Sequence, residues 1–270
     1  MKIIKKIVDI NKAINNFNNC GFVPTMGGLH NGHISLINNS QKKCKKTIVS
    51  IFVNPNQFNN KFDYKKYPRN LKNDIKILKN LKVDYLFIPN TKEIYKYRDK
   101  KFTLKNNDKV LCAKFRKGHF EGVLDVMNRF LKIIKVKKVF MGEKDYQQLF
   151  LVKKYLCKKH KFKVINCSTV RDKNKVALST RNSLLNKKNY LTVHLITKYL
   201  FNLKKTLIAN KKNLNQKLII ITNNLENLYK IKIDYLEIRS EKKLSINFLK
   251  GKLRLFIAYK INKIRLIDNF

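Results

Sequence analysis

The stretch Pro24-Thr25-Met26-Gly27-Gly28-Leu29-His30-Asn31-Gly32-His33 puts two imidazoles three positions apart, behind a glycine pair. Glycines let backbone N–H groups approach a ligand closely. Histidines three apart in a helical turn face the same way. At a helix start, where the axial dipole is positive, both can donate hydrogen bonds to phosphate oxygens. Nucleotidyl transfer needs such donors, because charge builds on the α-phosphate and on the pyrophosphate leaving group. The plainer alternative is a glycine-rich turn with two structural histidines. Two of the chain's five histidines and three of its eight glycines fall within these ten residues, which favours the chemical reading.

Four further groups carry side chains suited to the same chemistry. Asn54-Pro55-Asn56-Gln57-Phe58 follows an apolar run, where a ligand-contacting loop belongs. Gln57 offers a donor and an acceptor, which suits a hydroxy acid, although a plain turn fits equally well. Gly142-Glu143-Lys144-Asp145-Tyr146-Gln147-Gln148 holds a compact cation, Lys144, suited to phosphate. Asp145 there is a candidate helix cap or a carboxylate on the magnesium side. Among so many lysines, a solvated Lys144 stays open. Val170-Arg171 and then Ala177-Leu178-Ser179-Thr180-Arg181-Asn182 supply hydroxyls and a guanidinium fork; Ser179 and Thr180 also suit a helix cap. Arg116 and His119 form a cationic pair, for substrate or for an adjacent carboxylate.

The elements that must position these groups alternate. Strands are expected ending at Phe22-Val23-Pro24, over Thr47–Val53, Val83–Ile88 and Lys138–Met141, and over Phe162–Cys167. Helices are expected over Ile34–Cys44, Tyr67–Leu81, Gly122–Ile134 and Tyr146–Lys159. β-Branched strands alternating with helices give a doubly wound parallel sheet, Rossmann-like, with ligands at the carboxyl ends of its strands. After Arg181 the texture changes. Residues 182 to about 228 read as helix without Gly or Pro, followed by strands at Ile233–Ile238, Leu253–Tyr259 and Arg265–Ile267. The expectation is an α/β domain over 1–170 and a smaller α+β domain over 171–270.

The chain has 270 residues and 44% hydrophobic residues, enough for a sizeable core and too many for disorder. Lys plus Arg is 61 against 17 Asp plus Glu, a net charge of +44. A polyanion partner is one explanation. The excess, however, is nearly all Lys, spread along the chain and accompanied by Asn and Ile. Those residues share A- and T-rich codons, so compositional bias is the preferred explanation, with no specific nucleic-acid partner. The five cysteines, Cys20, Cys44, Cys112, Cys157 and Cys167, have no Cys-x-x-Cys spacing. Neither a disulfide framework nor a zinc ribbon is expected. The start MKIIKKIVDI lacks a continuous apolar segment, and no run approaches 18 apolar residues. A cytoplasmic protein with reduced thiols and no membrane partner is expected.

His30-Asn31-Gly32-His33 matches the His-x-Gly-His signature of a nucleotidyltransferase superfamily. With the blocks PTMGGLHNGH (24–33), SIFVNPNQF (50–58), GHFEGV (118–123), GEKDYQQL (142–149) and ALSTRN (177–182) in order, the chain resembles the pantoate–β-alanine ligase family. The closing RLIDN (265–269) resembles that family's last strand. The resemblance implies an AMP-forming ligase of the coenzyme A pathway. It would condense (R)-pantoate with β-alanine through a pantoyl adenylate, with ATP as co-substrate, magnesium carried on the ATP, no protein-bound metal, and a homodimer. It implies that Met26 to His33, Gly142 to Asp145, Val170 and Leu178 to Arg181 bind ATP. His30, His33, Lys144, Ser179 and Arg181 would act in catalysis. It further implies that Gln57, Gln148 and Asn54 hold pantoate and that Gln57 also meets β-alanine. Lys175 stands where the family usually has Gly, Ser168 where it has Pro, Asp125 where it has Thr and Met141 where it has Phe. Lys175 and Ser168 suggest a looser, less stable segment. Two rival readings are another His-x-Gly-His adenylyltransferase and a basic nucleic-acid binder on an old enzyme fold. Gln57 and Gln148 disfavour the first, since a phosphate substrate calls for Arg or Lys. The intact site disfavours the second.

Overall fold

The computed structural model describes residues 1–15, 19–209, 212–246 and 251–270. The chain forms two compact units. One comprises Met1–Lys109 and Arg116–Thr169; the other comprises Val110–Phe115 and Val170–Phe270. The second unit thus includes a short excursion from the middle of the first, unlike the contiguous split at residue 170 suggested by the sequence.

In the first unit, β1 (Lys2–Ile4) leads through α1 (Ile7–Ile14) to β2 (Cys20–Thr25), α2 (Asn31–Lys43) and β3 (Lys46–Ile51). Helices α3 (Lys61–Lys66) and α4 (Leu71–Asn80) precede β4 (Tyr85–Phe87) and α5 (Thr91–Ile94). The excursion contains α6 (Cys112–Phe115). The unit closes with α7 (His119–Ile133), β5 (Lys138–Gly142), α8 (Tyr146–His160) and β6 (Lys163–Cys167). The six strands are parallel in the order β1-β4-β3-β2-β5-β6. This is the doubly wound sheet expected.

The order reverses between β2 and β5, and there the loops leaving the two carboxyl ends diverge. That crevice is where such sheets hold ligands. Both loops carry candidate site residues: Met26–Leu29 after β2 and Glu143–Asp145 after β5. Beneath them Val23, Ile37, Val49, Leu78, Leu86 and Phe140 form a core in which each is completely buried. Each such side chain contributes roughly 1.5–3 kcal/mol on burial. On α7, Phe130 meets Phe22, Phe52 and Phe87 edge-on at centroid distances of 5.6, 6.0 and 6.2 Å. These contacts lock α7 under the strand ends.

The expected helix Tyr67–Leu81 is shorter. Pro68 cannot donate within a helix and disfavours helix before it. The chain instead restarts at Asn70, whose side chain caps α4 by accepting from Asn73 N–H (3.0 Å). The other expected strands and helices of this unit lie within a few residues of their observed limits.

In the second unit, the long helical stretch is two helices, α9 (Lys187–Ala209) and α10 (Leu214–Tyr229), after a 3-10 turn over Thr180–Leu184. Residues 210 and 211 of the expected helix lie outside the described residues. The helices pack through Val193, Ile196, Leu200, Leu218 and Leu225 onto an antiparallel sheet. Its strands are β7 (Lys232–Ser240), β8 (Leu253–Ile261) and β9 (Ile264–Asn269), in that order. Arg171 is a hub here. It forms a two-pronged ion pair with Asp268 (2.7 and 2.9 Å) and lies over the rings of Phe201 and Phe270. Its neighbour Asp172 closes a tight turn by accepting from Asn174 N–H and Val176 N–H. Lys175, where the resembled family usually has Gly, adopts φ +63° in that turn. Hydrogen bonds thus close the turn around a left-handed lysine.

Candidate active site

The turn after β2 is defined by where its N–H groups go. Thr25 Oγ1 donates to Ser50 O (2.7 Å) and accepts from Gly27 N–H (3.2 Å). Gly28 and Leu29 N–H donate to the two carboxylate oxygens of Asp74 (2.9 and 2.8 Å). Gly27 and Gly28 have φ +78° and +63°, a conformation other residues rarely hold. Thus the glycines shape the turn, but their N–H groups are spent inside the protein. The expectation that they open toward a phosphate is corrected on that point. Asp74, on α4 and 1% exposed, was not singled out in the sequence. A lone acid in a lysine-rich amphipathic helix was the only signal for it.

His30 is the N-cap of α2, and the two histidines cap each other. Gly32 N–H donates to Nδ1 of His30 (3.1 Å), and His30 N–H donates to Nδ1 of His33 (3.3 Å). A nitrogen that accepts carries no proton, so both neutral rings bear theirs on Nε2. The rings lie 4.2 Å apart. Burial, and then the positive charge of Lys144, pushes His30 down to about 4. Burial and the neighbouring His30 push His33 down to about 3. Near neutrality the pair therefore consists of two uncharged imidazoles, each carrying its proton on Nε2.

Lys144 stands close enough to influence both rings, as does Asp145. These two residues form a loose ion pair at 3.5 Å, with the Asp145 side chain half exposed. Asp145 sits at the N-cap position of α8 but makes no side-chain cap there. Glu143 accepts from Asn166 (3.4 Å). Among the described residues, no cluster of three or more His, Cys, Asp or Glu could hold a metal ion. The half-exposed Asp145 carboxylate has the chemistry to touch a hydrated magnesium ion.

A second network surrounds Gln57, on the 3-10 turn Pro55–Gln57. Its side-chain Nε2 donates to Sδ of Met26 (2.8 Å), and its Oε1 accepts from Asn54 Nδ2 (3.3 Å). These are weak partners, a thioether and a long amide contact; a carboxylate oxygen is a better acceptor than the thioether for Nε2–H, and a hydroxyl can donate to Oε1. Asn54 is different. It is wholly buried, donates also to Gly122 O (3.1 Å) and accepts from Asn56 N–H and Tyr95 Oη–H. Burial pushes Tyr95 up to about 12, so it stays a donor. Asn54 thus braces Gln57 through its side-chain amide. His119 donates from Nδ1 to Gln57 O (2.6 Å) and accepts at Nε2 from Arg116 (2.9 Å). Arg116 also reaches Gln57 O (3.4 Å). This pair therefore serves a backbone carbonyl. Gly122 permits the close approach of α7, since a Cβ there would lie 2.3 Å from Asn56 O. Gln148 is half-buried on the first turn of α8.

Val170, Leu178, Ser179, Thr180 and Arg181 belong to the second unit. Ser179 caps the following 3-10 turn by accepting from Arg181 N–H (3.3 Å), so the capping role foreseen for it is real. Arg181 is half-buried.

A doubly wound sheet whose switch point opens on a glycine-rich turn and a helix N-terminus defines a class of ligand-binding α/β proteins. Within that class, the family model for pantoate–β-alanine ligase matches residues 2–270. A pantothenate synthetase of Clostridium botulinum is 40% identical, over 99% of this chain and 94% of its own length. One of Leptospira interrogans is 42% identical, over 92% and 89%. A crystal structure of pantoate–β-alanine ligase from Francisella tularensis, complexed with β-γ ATP and β-alanine, superposes with a TM-score of 0.84. It is 38% identical and covers 100% of this chain and 97% of that one. Pantothenate synthetase from Thermus thermophilus gives a TM-score of 0.87 at 28% identity, covering 100% and 99%. The chain belongs to the pantoate–β-alanine ligase family.

Proposed function

We propose that this chain activates the carboxylate of (R)-pantoate with ATP and passes the pantoyl group to β-alanine, with the labour divided among the residues above. As a member of its family it is an AMP-forming ligase of pantothenate biosynthesis. The observation that carries the division of roles is the mutual cap of His30 and His33, with Lys144 beside it.

A carboxylate is a poor electrophile, so activation comes first. A pantoate oxygen attacks the α-phosphorus, the bond to the β-phosphate oxygen breaks, and pyrophosphate leaves. The Nε2–H groups of His30 and His33 meet the charge that develops on the phosphate oxygens. Because the caps fix both tautomers beforehand, little reorganisation is needed during the reaction. Lys144 adds a full positive charge. Gln57, gripped from behind by Asn54, Arg116 and His119, exchanges its weak partners for pantoate and borders β-alanine; Gln148 is its proposed companion. Asp145 would touch magnesium bound to the triphosphate, which would neutralise phosphate charge. In the second step the free amine of β-alanine attacks the pantoyl carbonyl, loses a proton, and AMP leaves. No side chain forms a covalent intermediate.

The contributions of Met26 to Leu29, Asn31, Gly32, Gly142, Glu143, Val170 and Leu178 to Arg181 to ATP binding rest on the family likeness. So does a homodimer. The five cysteines form no disulfide and four of them are buried, which supports a reducing, cytoplasmic setting. No helix among the described residues is long and apolar enough to cross a membrane.

The test is pyrophosphate release. ATP and pantoate together should release it without β-alanine, and omission of pantoate should abolish it. Release that requires β-alanine would reject a free adenylate.

A further inference from the structure

Two consecutive N–H groups in the histidine turn end on one carboxylate. Gly28 N–H donates to Oδ2 of Asp74 and Leu29 N–H to Oδ1, at 2.9 and 2.8 Å. The side chain arrives from α4, 45 residues along the chain from Leu29, and is 1% exposed. A Cβ at Gly27 would stand 2.9 Å from the same Oδ2, so the carboxylate approaches where the turn carries a glycine. The next residue is His30, whose ring and N–H both belong to the imidazole pair. From Gly27 to His30 and from Gly32 to Ile34, every N–H is donated to a protein atom.

A carboxylate bridging two successive N–H groups occupies the position that a phosphate takes in a glycine-rich anion loop. Here the protein supplies that anion itself. We infer that Asp74 is a positioning residue for adenylation: it clamps the Gly27–His30 turn so that His30 and His33 are aimed, and it leaves the nucleotide phosphates to side chains. The inference rests on the adenylation reading given above.

The clamp has a consequence that a purely structural acid would lack. Asp74→Ala would release two N–H groups next to a helix N-terminus, creating a backbone anion site while misaiming the imidazoles. Adenylation should slow while pyrophosphate binds more tightly. A structural defect would weaken both. Asp74→Asn keeps the shape, but its single carbonyl can satisfy only one N–H, and its amino group opposes the other.

The experiment compares the full-length wild type with D74N and D74A. It measures pantoate-dependent pyrophosphate release, inhibition by added pyrophosphate, and amide exchange at Gly28 and Leu29 by NMR. In D74N, kcat should fall about 10–100-fold, as for misaligned catalytic groups, while KM for ATP changes little and near-UV circular dichroism stays native. Both amides should exchange faster. In D74A the pyrophosphate inhibition constant should fall several-fold. Unchanged kcat in folded D74N overturns the inference. So does a loss that added magnesium repairs, because the carboxylate would then be acting on the metal. If D74A fails to fold, D74N decides the matter. A wild type that releases no pyrophosphate defeats the adenylation reading instead, and amide exchange still judges the clamp.

Discussion

Replacing Gly122 by Ala adds one methyl group to α7 and tests whether Gln57 works through its backbone setting. That carbon would lie 2.3 Å from Asn56 O, 2.7 Å from Asn56 C and 3.0 Å from Gln57 N. All three atoms are backbone, so no side chain can swing aside. Ordinary contact needs roughly 3.5 Å, so the 3-10 turn must retreat by about 1 Å. The Asn54–Gly122 hydrogen bond (3.1 Å) stretches with it. Overpacking costs about 1–3 kcal/mol, and the better helix propensity of Ala returns about 1 kcal/mol. The variant should therefore remain folded. A misplacement of about 1 Å at a substrate-positioning group costs on the order of 10²-fold. We expect kcat/KM for pantoate, measured by pyrophosphate release, to fall by about that factor, with Tm lowered by only a few degrees. Wild-type kcat/KM together with a raised Tm would show that the turn gives way freely, and would refute the argument that α7 sets Gln57.

His33→Ala removes one preorganised donor and should slow single-turnover pyrophosphate formation by roughly 10²–10³; an unchanged rate would return His33 to a packing role. His30 and His33 are held at about 4 and about 3, mainly by burial, against an ordinary value of 6.5. The unfolded chain takes up their protons first as pH falls, so their contribution to stability is intact above about 6.5 and declines toward pH 4. Denaturant melts across this range should show the decline, and His33→Asn should flatten it; an equal slope in the variant would contradict the linkage. Lys175→Gly relieves a left-handed lysine at φ +63° and should stabilise the protein by about 0.5–1 kcal/mol with activity unchanged. A lower Tm would mean that the lysine side chain contributes more than its backbone costs.

The sheet was legible because TIVSIFV, VDYLFI and KKVFM are short apolar runs, rich in β-branched and aromatic residues and bounded by polar turns. β1 escaped notice because Lys2–Ile4 is too short to show a period. The imidazole pair was legible from spacing and glycine content alone. What spacing could not show was direction. Gly28 N–H was read as open to a ligand, but its partner, Asp74, is remote in sequence and lies on a helix whose pattern predicts only its buried face. Asn54 and Gln57 are both amides in one loop, and spacing could not show that Asn54 engages Gly122 O, Asn56 N–H and Tyr95 Oη–H. Arg116 and His119 were read as a cationic pair open to several partners. A backbone carbonyl as that partner leaves no trace in side-chain chemistry.

The excursion Val110–Phe115 has an implication for how this protein can be taken apart. Inside the second unit, Cys112 Sγ sits 3.1 Å from Tyr235 Oη and 3.4 Å from Arg265 Nη1, and the Phe115 ring lies 5.9 Å from that of Tyr235. A gene fragment starting at residue 170 would therefore encode the carboxyl-terminal portion without one of its own pieces. The buried Tyr235 hydroxyl would lose its thiol partner, and β7 would lose an aromatic neighbour. A fragment ending at residue 169 would carry that piece as an apolar flap torn from its seat. The halves are consequently not exchangeable cassettes. Swapping the carboxyl-terminal portion between relatives requires transplanting the hexapeptide with it, and a chimera joined only at residue 170 mismatches the inserted piece wherever the two parents differ around Cys112, Tyr235 or Arg265.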